Sequence, residues 1–133
     1  MPTPGRRLLL ARRAALSLLL AASTVGAAGA ATAQAAAPNC SVKHNENGEG
    51  AAWLNKGVNL KTGPYSGCGN VTWAAKDTYV YFLCWYDNSY GNTWWYVRIK
   101  GTSTHGWTSQ DNFYGDMHDE NGDGFITPLR CKQ

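Results

Sequence analysis

Aromatic side chains are the strongest candidates for binding chemistry in this sequence. Two come from one β-favouring run, and three come from connecting segments that a small domain would bring near it. The set is Trp94, Tyr96, Tyr65, Tyr86 and Tyr90. Such rings combine rigid contact area with a polar tip, which suits extended peptides or sugars. The alternative is that these residues pack against the body of the domain or its terminal segments.

Residues 119–127 reproduce the first half of a twelve-residue calcium loop. Oxygen-bearing side chains stand at the first, third and fifth loop positions, which are Asp119, Asn121 and Asp123, and a glycine follows for the sharp turn. The last loop position holds Arg130 where a bidentate glutamate is needed. We therefore consider two interpretations, a weak calcium site and a solvated turn held by Asx hydrogen bonds. No other cofactor is expected.

Catalysis requires positioned acids, bases or a nucleophile, and the sequence offers few. The three histidines, His44, His105 and His118, show no recognisable partner spacing. A small ribonuclease could be built from Glu46, Arg98 and His105, and this remains the hydrolase alternative. No C-x-x-C pair suggests a zinc site. We expect a protein that is not an enzyme.

Residues 1–35 have the features of a secretory signal peptide. The start is basic, an apolar stretch follows over 14–22, and Ala33-Gln34-Ala35 forms a small-x-small cleavage site. The apolar stretch is too short to span a bilayer. Twin arginines occur twice, so both the general and the twin-arginine export routes stay open. We expect a secreted, extracellular protein with no membrane attachment after cleavage.

Four cysteines remain in the secreted body. An exported chain of this size uses cysteines as staples, so two disulfides are expected among Cys40, Cys68, Cys84 and Cys131. Three connectivities are open from the sequence alone.

Charge and aromatic content argue against nucleic-acid binding and against disorder. Four of the twelve basic residues lie in residues 1–35, and all nine acidic residues lie in residues 36–133. The secreted body, residues 36–133, therefore has a net charge of −1. A body without a basic excess is not expected to bind nucleic acid. Six Trp, seven Tyr and three Phe also argue against disorder.

The secreted body divides into three parts. Residues 36–56 show no sustained helical or strand period and are interpreted as an N-terminal arm. Residues 57–114 contain five short β-favouring runs separated by Gly, Asn, Asp and Ser clusters, and residues 115–133 form an acidic loop and tail. Closure removes the edges that an extracellular sheet would expose, so the pattern predicts an all-β fold, a small five-stranded barrel.

Alternation predicts which side chains share a face of the strands. In the longest run one face is predicted to hold Tyr79, Tyr81, Leu83 and Trp85. In the run over 93–100 the core face is predicted to hold Trp95, Val97 and Ile99.

The order of these motifs resembles the bacterial Src-homology-3-like domain, in its secreted, cysteine-containing single-domain type. The resemblance rests on Asn59-Leu60-Lys61-Thr62-Gly63-Pro64, Trp94-Trp95-Tyr96-Val97-Arg98, Gly106-Trp107 and the polar run over 109–113. It spans residues 57–113. It implies a noncatalytic barrel, and members attached to peptidoglycan hydrolases bind cell-wall peptides.

The resemblance also carries expectations for single residues. It makes Trp94 the tryptophan of the ligand groove, and it favours pairing Cys68 with Cys84, which leaves Cys40 for Cys131. Two residues depart from the family pattern, Thr108 in place of an aliphatic residue and Asn112 where a tyrosine is usual.

We therefore expect a secreted binding module that recognises cell-wall peptidoglycan or another extracellular peptide through an aromatic groove. The alternative within the same fold is a module that binds or inhibits a secreted protein. The oligomeric state stays open.

Overall fold

Short β-favouring runs, and no helical periodicity, determine the fold of this chain. The computed structural model describes residues 29–32, 34 and 36–133. Its strands are β1 (Ala51–Trp53), β2 (Val58–Lys61), β3 (Asn70–Ala74), β4 (Tyr79–Asp87), β5 (Thr93–Ile99) and β6 (His105–Ser109), followed by a 3-10 helix, η1 (Gln110–Asn112). All strand pairs are antiparallel. The all-β prediction is confirmed.

The strands form one sheet in the order β1-β4-β5-β6-β2-β3. The predicted closed barrel of five strands is not confirmed, because within the described residues no pairing joins the outermost strands β1 and β3. The additional strand, β1, lies in the range interpreted as an arm and pairs Ala51 with Tyr81 and Trp53 with Tyr79. Three residues are too few to display a period of two, so alternation could not reveal this strand.

A β-bulge at Leu83 divides β4 into two halves. Phe82 pairs with Val97 and Cys84 pairs with Tyr96, so Leu83 is an extra residue in the ladder. Side chains beyond the bulge therefore change faces. The prediction that Trp85 shares a face with Tyr79 and Tyr81 is wrong, because Trp85 packs against the same core as Phe82.

Two apolar clusters lie on the two faces of the sheet. The inner core contains Ala52, Leu54, Leu60, Ala74, Val80, Phe82, Trp95 and Val97. Ile99 packs against it, so the predicted core face of β5 is confirmed. The outer cluster contains Val42, Cys84, Trp94, Trp107 and Cys131. Val42 and Cys131 come from the two terminal segments, which therefore cover part of the outer face.

The two disulfides join Cys40 to Cys68 and Cys84 to Cys131. The pairing of Cys68 with Cys84, and of Cys40 with Cys131, is therefore wrong. The paths of the terminal segments explain the difference, because Cys40 lies beside Gly63 of the β2–β3 loop, whereas Cys131 follows Arg130, which pairs with Trp85 of β4. Each disulfide instead ties one terminal segment to the domain.

The chain divides into two units, Met1–Ala33 and Gln34–Gln133, and the arm, the strands and the tail all belong to the second. The predicted signal peptide, 1–35, falls almost entirely outside the described residues. Across the described ranges no helix has the length and apolar character needed to cross a membrane. Two disulfides indicate an oxidising setting.

Candidate ligand-binding groove

A groove of about 520 Å³ lies where β2 and β3 face the β4–β5 turn and η1. We call it the aromatic groove. Its aromatic lining is Trp73 from β3, Tyr90 from the β4–β5 turn and Trp94 from β5. Its polar lining is Asn59, Lys61, Ser66, Asn88, Asn92, Ser109, Asp111 and Asn112. The groove therefore combines aromatic contact surface with many hydrogen-bonding groups, which suits a polar ligand such as a peptide.

Trp94 lines the groove, and its side chain contains a buried hydrogen-bond donor that has no acceptor. The side chain is 7% exposed. Within the described part of the chain, its Nε1 is the one buried side-chain nitrogen or oxygen atom that has no hydrogen-bond partner. Leaving a buried donor unpaired costs about 1–3 kcal/mol. A ligand oxygen would relieve that cost if the ring shifted to uncover the Nε1 atom.

Trp73 and Tyr90 form the exposed walls of the groove, at 62% and 48% exposure. Trp73 lies against Gly57, where an added Cβ would come within 2.3 Å of the Trp73 Cζ2 atom, so this ring position requires glycine. Trp73 is not among the candidate site residues predicted from the sequence. The available signal was a large aromatic residue in a short strand next to the Gly57 corner.

The β4–β5 turn positions Tyr90 through Asn88, which is buried. The Asn88 Oδ1 atom accepts hydrogen bonds from the backbone N–H of Tyr90 at 3.0 Å and of Asn92 at 3.1 Å. Its Nδ2 atom donates to the Pro64 carbonyl at 2.8 Å. Asn88 thereby joins the turn to the loop that follows β2, because both of its polar atoms are used in these bonds.

The N-terminal arm supports the Tyr90 wall. The Tyr90 hydroxyl donates to the Ala36 carbonyl at 2.7 Å, and an added Cβ on Gly67 would lie 3.7 Å from the Pro38 ring. The disulfide from Cys40 fixes this part of the arm beside the β2–β3 loop. The arm is therefore part of the groove's structure.

Thr108 and Asn112 contact each other beside the groove. The Asn112 Nδ2 atom donates to the Thr108 Oγ1 atom at 2.8 Å, and Thr108 is buried. This bond pairs a buried hydroxyl with an amide of the groove lining.

Of the five predicted aromatic residues, the structure brings Trp94 and Tyr90 together in the groove. Tyr65 is buried beside it, and its ring meets that of Tyr90 edge-on at 5.2 Å between centroids. Hydrogen bonds with the Ser89 hydroxyl and backbone N–H lower the pKa of the Tyr65 hydroxyl. Tyr65 therefore supports the wall without lining the groove.

The other two predicted residues, Tyr86 and Tyr96, pack against the outer cluster. The Tyr96 ring stacks on His44 of the arm with centroids 3.8 Å apart. Burial raises the pKa of the Tyr96 hydroxyl, and burial also lowers the pKa of His44. Tyr96 therefore packs the arm onto the sheet, and neither tyrosine lines the groove.

The acidic loop is organised by hydrogen bonds to its own backbone. The Asp119 carboxylate accepts from the N–H groups of Asn121, Gly122 and Gly124 at 3.1, 2.8 and 2.7 Å. These bonds lower the pKa of the Asp119 carboxyl, with the Gly124 N–H making the largest contribution. Asn121 and Asp123 similarly accept from nearby N–H groups at 2.9 and 2.8 Å. In the described residues no cluster of three His, Cys, Asp or Glu side chains has the geometry to hold a metal.

The residues of the hydrolase alternative lie on the outer face. His105 is opposite Arg98 in the β5–β6 register. Glu46 lies near enough to affect the pKa of His44 and Tyr96 through its charge. None of these residues lines the aromatic groove or the cavities of about 350 and 170 Å³.

Comparison with known proteins gives no match to a family model, to a curated protein or to a solved structure.

Proposed function

We propose that this protein is a secreted, noncatalytic binding module of the bacterial Src-homology-3-like type. It takes an extended peptide into the aromatic groove, and cell-wall peptide is the first candidate ligand. The observation that carries the proposal is the unpaired Trp94 indole N–H in a groove with two exposed aromatic walls.

An extended peptide matches the chemistry of this groove. Its backbone presents carbonyl oxygens at regular intervals, and one of them would accept the Trp94 N–H. The Trp73 and Tyr90 rings supply contact area on which side chains or Cα groups pack. Amides such as Asn59 and Asn92 line the same groove and offer both donors and acceptors.

Binding or inhibition of a secreted protein is the second candidate function. Its support is another aromatic surface, on the outer face at the β1 edge. Trp53 is 39% exposed there and lies 4.5 Å from Tyr79 between ring centroids. Arg98 lies over the Tyr81 ring at 4.7 Å. A protein partner would engage this surface without requiring the groove.

Co-sedimentation of the oxidised mature protein with purified bacterial cell walls tests the proposal. We compare the wild type with Trp73→Ala, which removes a groove wall, and with Trp53→Ala, which removes an exposed tryptophan of the outer face. Saturable binding that is weakened by Trp73→Ala and retained by Trp53→Ala is the expected result.

Two results would contradict the proposal. Binding that depends on Trp53 and is indifferent to Trp73 would move the site to the outer face. An absence of wall binding in the folded, oxidised wild type would favour the second candidate function and end the assignment to wall peptide.

A further inference from the structure

We propose that the aromatic groove selects peptides that carry a primary amine, and that the Asp111 carboxylate recognises that amine. This inference rests on the proposed function and adds the chemical class of the ligand. Its basis is the placement of charge and aromatic surface around the groove.

Two charged side chains line the groove, Lys61 and Asp111. The Lys61 ammonium already has a partner, because its Nζ atom donates to the Asn70 Oδ1 atom at 2.7 Å. This neutral partner uses one of the three ammonium hydrogens and leaves the positive charge of Lys61 in place. Lys61 and Asp111 therefore give the groove one cationic and one anionic group, and the amine is assigned to the Asp111 end.

Asp111 has its carboxylate available. Both hydrogen bonds that the structure records for this residue use the backbone: its N–H donates to the Ser109 Oγ atom at 3.4 Å, and its carbonyl accepts from the Asn55 Nδ2 atom at 3.1 Å. The residue is exposed in η1. It lines the aromatic groove and also both neighbouring cavities, so it stands where the three meet.

The aromatic walls favour the same kind of ligand group. The faces of tryptophan and tyrosine rings attract cations through their quadrupole, and Trp73 and Tyr90 are both exposed in the groove. A carboxylate beside two aromatic faces is complementary to an ammonium group. The backbone of the peptide would still supply the acceptor for Trp94, so amine and carbonyl recognition use different groove residues.

The expected contribution of this pair is modest because it forms at the surface. Exposed ion pairs have small coupling energies, which correspond to a change in affinity of roughly two- to fivefold. The contribution should also weaken as salt is added, since exposed charges are screened.

The experiment measures binding of the oxidised protein to purified cell walls before and after acetic anhydride has acetylated their free amines. The variants are Asp111→Asn and a control, Asp116→Asn, which makes the same change in net charge beside the 350 Å³ cavity and outside the groove. The amide at position 111 keeps both backbone hydrogen bonds, and an unchanged melting temperature verifies the fold.

We expect acetylation to weaken wild-type binding by roughly two- to fivefold, Asp111→Asn to weaken binding to native walls by a similar factor, and Asp116→Asn to behave as the wild type. Acetylated walls should no longer distinguish Asp111→Asn from the wild type. Equal binding of the wild type to both kinds of wall overturns amine selection and leaves the proposed function standing. Equal losses in the two variants would assign the effect to net charge and overturn the role of Asp111. No wild-type binding to either wall overturns the proposed function together with this inference.

Discussion

Removal of the Cys40–Cys68 disulfide should destabilise the domain and damage the groove together. In the Cys40→Ala, Cys68→Ala double variant the Cys84–Cys131 bond remains. The lost bond spans 28 residues. In the chain-entropy account, a loop of that length corresponds to about 3.5 kcal/mol of stability. A small domain has a free energy of unfolding of about 5–15 kcal/mol, so the variant should still fold.

The effect on the groove follows from the contacts of the arm. Without the bond, the segment that carries the Ala36 carbonyl and Pro38 is no longer fixed beside the β2–β3 loop. The Tyr90 hydroxyl then loses its bond to the Ala36 carbonyl. Binding to cell walls should fall although Trp73 and Trp94 are untouched. Urea unfolding gives the stability change, and co-sedimentation with cell walls gives the binding change.

Measurement of free thiols tests the disulfide connectivity. The double variant should contain no free thiol, because its two remaining cysteines are partners in the structure. Cys68→Ala, Cys84→Ala is the matched control, since it breaks both disulfides and leaves Cys40 and Cys131 as unpaired residues. Free thiols in the first variant, or stability equal to that of the wild type, would refute the connectivity and the reasoning built on it.

Three further predictions concern single residues. Gly57→Ala should displace the Trp73 ring and weaken binding to cell walls. Gly115→Ala should bind as the wild type, because an added Cβ there meets nothing within 4 Å. Unchanged binding in both variants would contradict the role of the Trp73 ring. Trp94→Phe should weaken wall binding while changing the free energy of unfolding by no more than about 1 kcal/mol, because the cavity cost and the relief of an unpaired donor oppose each other. A larger stability loss in urea would show that the donor is paired. The pKa of Asp119 is lowered in the folded state, so its contribution to stability is present above the ordinary carboxyl pKa and is lost as pH falls through the lowered value. Melting curves at acidic pH should show this loss in the wild type and not in Asp119→Asn. Millimolar calcium should leave the melting temperature of the wild type unchanged. A rise in melting temperature with calcium would instead identify the loop as a calcium site.

Alternation in the sequence predicted the core face of β5 correctly because that strand is regular. Trp95 and Val97 belong to the inner core as expected. The same reasoning failed in β4 because the bulge at Leu83 inserts one residue, and one residue reverses every later side chain. Nothing in the local sequence marks the bulge.

The candidate site was only partly predictable because it depends on long-range placement. Trp94 and Tyr90 were identified from their residue types, but which aromatic residues the arm would cover could not be read from the strands. Val42 and His44 of the arm pack on the outer face, and this decides that Tyr96 is a packing residue. The disulfide connectivity depends in the same way on where the two terminal segments lie against the sheet.

The most direct test of the central claim follows the Trp94 indole N–H by ¹⁵N–¹H NMR during titration with soluble peptides released from cell walls. The protein has six tryptophans, and Trp94→Phe assigns the relevant signal by its disappearance. We expect a saturable downfield shift of the Trp94 signal as a ligand oxygen accepts its hydrogen, while the Trp53 signal stays in place. A saturable shift of Trp53 with Trp94 unmoved would contradict the groove as the binding site.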